Sequence, residues 1–440
     1  MDTTIVEKIL KGAKGKLDAC EVCFTISESK EANYSSNKLK SSEGKGSRSI
    51  AARGFKNGKM GFYVTSDLSS PEAIVAATVE LANEGGPHEI ELPADFGNAT
   101  VDTYDEKVAN LTPADLVGTG RALIGIVREY DPKYLNEAQA ASIVEHTFLA
   151  NSRGGKGQHK STLVSASISP SLADESGFME IYEFEFSTHM PANGFNFLGH
   201  KVIDKLKFCE KDAKAATGDY EILLMPKAVD IFNTLLLAVN ARAVLKGYSP
   251  WSDKLRSKVA DGKLEIIDDP LRPGHAGSQP FDDEGTPSKR KALIEDGFLR
   301  VFLNDLFSAA KLGQEPTGNA FRMGKRSEPR ASASTLFITE GKRDFAALVS
   351  RMKKGIIVDQ IMGAHTASPF SGDFSVNINM GWLVENGEIA GRVKDCMLAG
   401  NVFGWIKDNI VEIGHGSERA SASVCIPPIL FAGAKIATTG

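Results

Sequence analysis

LVENGEIAG, residues 383–391, decides how this chain folds. Asn386 and Gly387 sit between apolar runs, and both accept the positive φ that a two-residue type I′ turn needs. The chain therefore doubles back as an antiparallel hairpin. The same signal recurs at Asp296 and Gly297 in LIEDGFLRV, at Asp261 and Gly262 in VADGKLEII, and at Asn57 and Gly58 in RGFKNGKMGFYV. Hairpins rather than long crossovers imply antiparallel sheets, with helices as minor elements.

Outward from the hairpins, few helices interrupt the second half of the chain: the patterns predict them over 226–245, 303–312, 344–353 and 402–409. The first half opens with a short helix over 5–11, a strand containing Cys20 and a polar stretch. After the Asn57 turn, Ser70, Pro71 and Glu72 cap a helix running through Leu81, with proline in the first turn where its missing N–H costs nothing. Residues 86–110 are loop-rich. Thr112 caps a second helix, TPADLVGTGRALIGIVREY, whose Leu116, Leu123, Ile126 and Val127 form one stripe. Strands follow over 137–148, 157–168 and 179–189, with a turn at Asn151 to Gly155 between the first two. A small, polar run at 211–218 marks a boundary. The expected architecture is α+β in two domains: an N-terminal α+β domain, 1–215, and a larger, antiparallel, β-rich C-terminal domain, 216–440, with a few helices.

The 440 residues carry 51 Lys plus Arg against 56 Asp plus Glu, a formal charge of −5. Basic clusters such as Ser288 to Lys291 have acids beside them. Such a surface lacks the cation excess that neutralising phosphates demands, so no nucleic-acid partner is expected. MDTTIVEKILKGAKG, residues 1–15, has no uninterrupted apolar core of a secretory signal. Residues 420–434 are uncharged, but Ser421, Ser423, Pro427 and Pro428 break them up, and they fall short of the roughly 20 apolar residues of a membrane helix. A cytoplasmic protein without a membrane partner is expected. Five scattered cysteines suit reduced thiols better than a disulfide framework. Cys20 and Cys23 look like a CxxC pair, yet Cys20, Val22, Phe24 and Ile26 alternate with Glu21, Cys23 and Thr25. Period two sends the two sulfurs to opposite faces of one strand.

PFDDEGTPSKR, residues 280–290, offers Asp282, Asp283 and Glu284 either as oxygen ligands or as parts of a turn. Neighbouring aspartates diverge in a strand, Gly285, Pro287 and Ser288 carry turn chemistry, and the alternating oxygens of a calcium loop are absent. A turn with a charge pair to Lys289 or Arg290 is the reading favoured. The eight histidines lie at least ten residues apart, so no helix carries the close imidazole pair of a zinc peptidase. A GxSxG elbow, a protease-type cysteine and a phosphate loop are all missing.

Four strings carry a family resemblance: GSQPFDDEGTPSKRKALIEDGFLRVFLNDLFSAAKLG, PTGNAFR, GDFSVNINMGWLVENGEIAGRVKDCMLAGNVF and CIPPILFAG. Together they resemble the C-terminal domain of the TldD/PmbA family over 219–440, and residues 19–24, NGKMGF and the Asn151 turn extend the likeness more loosely through the first half. The resemblance implies a cytosolic, two-subunit metalloprotease that degrades unfolded peptides, removes the leader of a peptide antibiotic and modulates the effect of gyrase inhibitors. In it, TldD carries zinc on an HExxxH helix and TldE (PmbA) lacks it. LLMPKAVDIFNTLLLAVNARAV, residues 223–244, is similar to that helix, with Asn233, Thr234 and Ala238 where the first His, the Glu and the second His would stand. An amide, a hydroxyl and a methyl cannot replace two imidazoles and a base. Val229, Phe232, Leu235, Leu236 and Val239 form an apolar stripe there, expected to be core. Cys425, in SVCIPP, lacks the glycine-flanked setting of the family's cysteine.

The resemblance thus implies a TldE/PmbA-like, non-catalytic subunit with no metal in its own chain, zinc in a TldD-like partner, and unfolded or extended peptide as substrate. A second copy of itself is another partner to consider. Asp283, Glu284, Thr317, Asn319 and Asp373 are the candidates to line a peptide groove. Two alternatives stay open: a metallopeptidase in its own right with ligands drawn from His275, His365, His415 and Cys425, and a non-proteolytic modulator of DNA gyrase.

Overall fold

Ser36 and Asn37 take φ of 49° and 68°, and this left-handed turn folds strand β1 (Ala19–Ser35) back on β2 (Lys38–Lys56). The polar stretch 38–49, to which the sequence pattern assigns no element, is therefore strand. It lacks the apolar alternation that signals a half-buried strand and is held by backbone pairing along the length of β1. Asn57 and Gly58, at φ 51° and 70°, turn the chain again into β3 (Lys59–Thr65). Strands β4 (Leu135–Asn151), β5 (Lys156–Asp174), β6 (Gly177–Glu180) and β7 (Glu183–Ser187) complete an antiparallel sheet of order β3-β2-β1-β4-β5-β6, with β7 also paired to β5. The structure, a computed structural model, describes residues 2–174, 177–324 and 327–438.

Helix α1 (Thr4–Ala13) and α2 (Pro71–Glu84), capped by the Ser70 hydroxyl accepting from Ala73 N–H, cover the Cys20, Val22 and Phe24 face of β1. A short turn of helix, α3 (Glu106–Ala109), precedes α4 (Pro113–Tyr130), which starts in a reciprocal Thr112 and Asp115 capping box. Helix α5 (Asn196–Lys207) was not anticipated; Leu198, Val202 and Leu206 are its buried stripe.

Among the described residues two large sheets and a two-stranded one, Ala320–Phe321 with Arg330–Ala331, make up the rest. One runs Phe298–Leu299, Lys291–Glu295, Ile266–Asp268, Leu336–Ile338, Val424–Ile426, Glu418–Ser421. The other runs Lys354–Met362, Gly218–Leu224, Ile429–Thr438, Cys396–Asn401, Asp373–Glu385, Glu388–Arg392. Because Lys354–Met362 also pairs with Asp373–Glu385, this second sheet closes on itself as a barrel. The hairpins at Asp296 and Asn386 form, with φ of 52° and 53°. The one at Asp261 does not. Asp261 instead makes a local turn through its carboxylate to Lys263 N–H, while the N–H groups of Val259 and Ala260 both donate to the Gly297 carbonyl. Two pairings are parallel, Gly218–Leu224 with Lys354–Met362 and Leu336–Ile338 with Val424–Ile426, each joined by a long connection.

The helix predicted over 226–245 is broken into three. A 3₁₀ turn (Pro226–Phe232) leads into Asn233–Ala238, then Asn240 leaves the helix to bridge Leu303 and caps Ala241–Leu245, accepting from Arg242 and Ala243 N–H. The helix expected over 303–312 begins at Leu306, where Asp305 caps it. Among the described residues no helix is long and apolar enough to cross a membrane.

The architecture is strand-rich α+β. Among the described residues no sheet crosses 215, and the one strand-like bridge across it joins Asp212 to Arg392. The apolar core does cross it. Leu198, Val202 and Ile168 share one cluster with Trp382, Leu223, Leu348 and Ile357, and Trp382 Nε1 donates to Cys209 Sγ at 3.4 Å.

Candidate functional site

The acidic stretch that opened two readings is a turn. Asp282 Oδ1 accepts the N–H groups of Glu284 and Thr286, its Oδ2 accepts Ala320 N–H, and Gly285 closes the turn at φ +81°. A side chain at 285 would meet Phe96 at 2.1 Å, so both conformation and space select glycine. Burial, and next the Glu284 charge, push the Asp282 carboxyl well above its usual range, while the three backbone donors pull against them.

The charges of this turn do not pair with Lys289 or Arg290. Glu284, wholly buried, receives Arg53 Nη1 at 2.6 Å and Leu306 N–H at 2.7 Å. Arg53, itself 1 % exposed, also grips Glu21 through Nε and Nη2 at 3.1 and 3.0 Å. Asp283 accepts Arg322 N–H at 2.7 Å, and the Arg322 guanidinium lies 3.4 Å from Glu21 and 3.8 Å from Asp283. Desolvation works against the Arg53 cation, but Glu21 and Glu284 outweigh it and hold the group more basic than usual. Arg290 instead approaches Asp269 at 3.9 Å. The reason is topological. Glu21 and Arg53 face each other across β1 and β2 in register, and this polar face of the N-terminal sheet is what the turn packs on.

Beside this network lies a cleft of about 530 Å³, walled by Cys23, Thr25, Glu145, Thr147 and His159 from the N-terminal sheet, and by Gln279, Asp283, Arg322, Ser334 and Leu236 among others from the C-terminal half. That size is within the range of ligand sites. The His159 imidazole is held below its ordinary pKa by burial, against the pull of Asp283, and its Nδ1 has no hydrogen-bond partner. Burial likewise raises the Cys23 thiol, which is no poised nucleophile. Cys20 and Cys23 do leave opposite faces, Cys20 to the α1–α2 side and Cys23 to the cleft.

The proposed groove residues separate. Asp283 lines the cleft. Glu284 does not; its carboxylate is consumed by Arg53 and the start of the Leu306–Leu312 helix. Thr317 bonds both N–H and C=O of Asn304, and Asn319, buried, donates to Asp268 and to the Ser332 carbonyl, so both brace the loops behind the cleft wall. Asp373 is the exposed first residue of the Asp373–Glu385 strand, accepting from Asn401 and Ser371 at the barrel's end. Sequence reasoning missed Arg53, Arg322, Glu21 and His159. The alternation that placed Glu21, Cys23 and Thr25 on one strand face was the available signal.

At the three positions of the 223–244 comparison, Asn233 is exposed and loosely bonded to Asp230, whereas Thr234 is 5 % and Ala238 0 % exposed. They share no open face, and an amide, a hydroxyl and a methyl there do not fit a zinc ion. Nor is the expected stripe simple core. Val229, Phe232, Leu235, Leu236 and Val239 line an apolar pocket of about 80 Å³ closed by Trp251, Leu264, Ile406 and Phe431 among others. Among the described residues no three His, Cys, Asp or Glu side chains are grouped to hold a metal. His275 Nδ1 lies 2.8 Å from Arg419 and His415 Nδ1 2.6 Å from Glu340, while burial raises the Cys425 thiol.

The chain matches the PmbA/TldA metallopeptidase domain 1 over residues 20–82, the central domain over 106–207 and the C-terminal domain over 217–438. It is 36% identical over 228 residues to a metalloprotease of Archaeoglobus fulgidus, covering 51% of this chain and about half, 52%, of that relative. To the metalloprotease PmbA of Escherichia coli O157:H7 it is 26% identical over 97% of this chain and 95% of that one. The crystal structure of TldE from Thermococcus kodakarensis superposes with a TM-score of 0.91 at 22% identity, over 98% of this chain and all of the other, which shows a common fold.

Proposed function

Because the chain belongs to the PmbA/TldD metallopeptidase family, we propose that it is a TldE/PmbA-like subunit without catalytic residues of its own, which docks on a TldD-like, zinc-bearing partner and walls the chamber where that partner cuts unfolded or extended peptide. The observation that carries this reading is the segment Asn233–Ala238, which offers no imidazole and no carboxylate base and buries two of its three relevant side chains. The polar cleft between the halves supports it as the peptide-facing surface, with Asp283 and Arg322 at its wall. Extended peptide engages such a surface chiefly through main-chain hydrogen bonds.

Purified alone, the chain is expected to hold no stoichiometric zinc and to leave unfolded casein uncut. Mixed with an HExxxH-bearing relative from the same genome, it is expected to form a stable complex with chelator-sensitive cleavage. Zinc bound at one equivalent by the isolated chain, with proteolysis lost on chelation, would overturn the assignment.

A further inference from the structure

We propose that the apolar pocket beneath Asn233–Ala238 is a subsite for one aliphatic side chain, of the size of leucine, isoleucine, valine or methionine, presented by a polypeptide lying in the cleft. The inference rests on the reading of the cleft as a peptide surface and adds to it a preference that the family resemblance does not supply.

Pocket and cleft are continuous. Leu236, Leu336 and Val424 line both, and Leu236, 38 % exposed, stands at the junction. The pocket walls are aliphatic or aromatic except for Asn233, which is exposed. A cavity of this kind stays dry, and its lining lacks dispersion partners until an apolar group fills it. Its volume, about 80 Å³, is near half of the roughly 150 Å³ that accommodates benzene in an engineered apolar cavity. An isobutyl group fits that space; an indole does not.

The cleft supplies the complementary polar half. Gln279 Nε2 and Arg322 Nε and Nη1 belong to cleft-lining residues, are buried, and have no hydrogen-bond partner. All three are donors, and an extended main chain offers carbonyl acceptors. Arg322 already faces Glu21 and Asp283, and Glu145 lies on the same wall, so the local charge does not call for a further anion. A neutral internal segment suits the cleft better than a free carboxyl terminus.

The test is methyl NMR on the full chain titrated with N-acetyl-leucinamide, N-acetyl-alaninamide and N-acetyl-tryptophanamide. The leucine derivative is expected to shift the methyls of Ile266, Ile406 and Val424 and to bind at least tenfold more tightly than the other two, the discrimination an apolar pocket gives for a few carbons. Val229→Phe fills the pocket and is expected to abolish that preference; Leu336→Phe provides the same test should the first variant lose its fold. Equal binding of the three amides, or a leucine preference that survives both variants, overturns the subsite. Leucinamide binding that unfolded casein fails to compete leaves the subsite standing and removes the peptide reading of the cleft.

Discussion

Replacing Arg53 with methionine tests whether the buried ion network is what fixes the cleft. The change keeps much of the side chain's length and removes the cation that Glu21 and Glu284 share. Both carboxylates are 0 % exposed. Glu21 then retains only the more distant Arg322, at 3.4 Å, and Glu284 only the Leu306 N–H. Orphaning one partner of a buried pair costs about 3–5 kcal/mol, because the remaining charge has lost its solvation and its counter-ion. Arg53→Met is therefore expected to lose at least about 3 kcal/mol. Glu284→Gln leaves the two contacts between Arg53 and Glu21 intact and should cost less, about 1–3 kcal/mol, for one unsatisfied polar contact. Replacing Glu21, Arg53 and Glu284 together by leucine, methionine and leucine should recover part of the loss, since it removes both orphaned carboxylates, while Arg322 keeps Asp283 and the Leu306 N–H loses its acceptor. Urea denaturation followed by circular dichroism gives the midpoints and slopes, and amide exchange over residues 282–286 reports the turn. A loss below about 1 kcal/mol for Arg53→Met, or a triple variant worse than the single one, would refute the reasoning.

A second network predicts the acid limit of stability. Glu183, 1 % exposed, lies 2.6 Å from Lys205 and 2.7 Å from Lys227; burial opposes its charge, but these lysines hold its pKa down to about 2 from 4.5. A depressed carboxyl pKa contributes stability that is complete above about 4.5 and lost as pH falls through about 2. The contribution is about 3 kcal/mol. Denaturation midpoints measured between pH 7 and 2.5 should fall across this window in the parent and much less in Glu183→Gln, which is weaker at pH 7; parallel curves would exclude the assignment. The zinc-motif helix makes the other prediction: Asn233→His, Thr234→Glu and Ala238→His combined should cost more than about 3 kcal/mol and bind no stoichiometric zinc, because a carboxylate and an imidazole are forced into buried sites that now hold a hydroxyl and a methyl. A stable variant carrying one zinc, by metal analysis, would show that the segment is a dormant site.

Local chemistry was legible where local forces decide. Turns at Asn57, Asp296 and Asn386 formed because positive φ at these positions has few other solutions. Caps at Ser70 and Thr112 formed because a hydroxyl directly before the helix satisfies an orphan N–H. Asp261 carried the same signal and failed, since tertiary pairing of Val259 and Ala260 with Gly297 captured the strand it would have used. The break at Asn240 came from a contact with Leu303, more than sixty positions away in sequence, which no window over 226–245 contains. Partners of Glu284 were misassigned for the same reason: Arg53 lies 231 residues from it.

The site was least legible because its walls come from opposite ends of the chain. Glu21, Cys23 and Thr25 were read as one face of a strand, opposite Cys20, Val22 and Phe24, and nothing in that alternation says what the face meets. In the folded chain that face meets the 280–288 turn, so a polar alternation became a buried interface that only ion pairing makes tolerable. The cleft follows from this geometry. Two surfaces held apart by bulky, mutually neutralised side chains cannot close to van der Waals contact everywhere, and the space left beside Arg322 is lined by polar groups from both halves and, on the C-terminal side, by the rim of the apolar pocket. The charges that clamp the halves together therefore also set the width of the gap between them, which is why a substitution at Arg53, outside the lining, is expected to move a binding surface that it never touches.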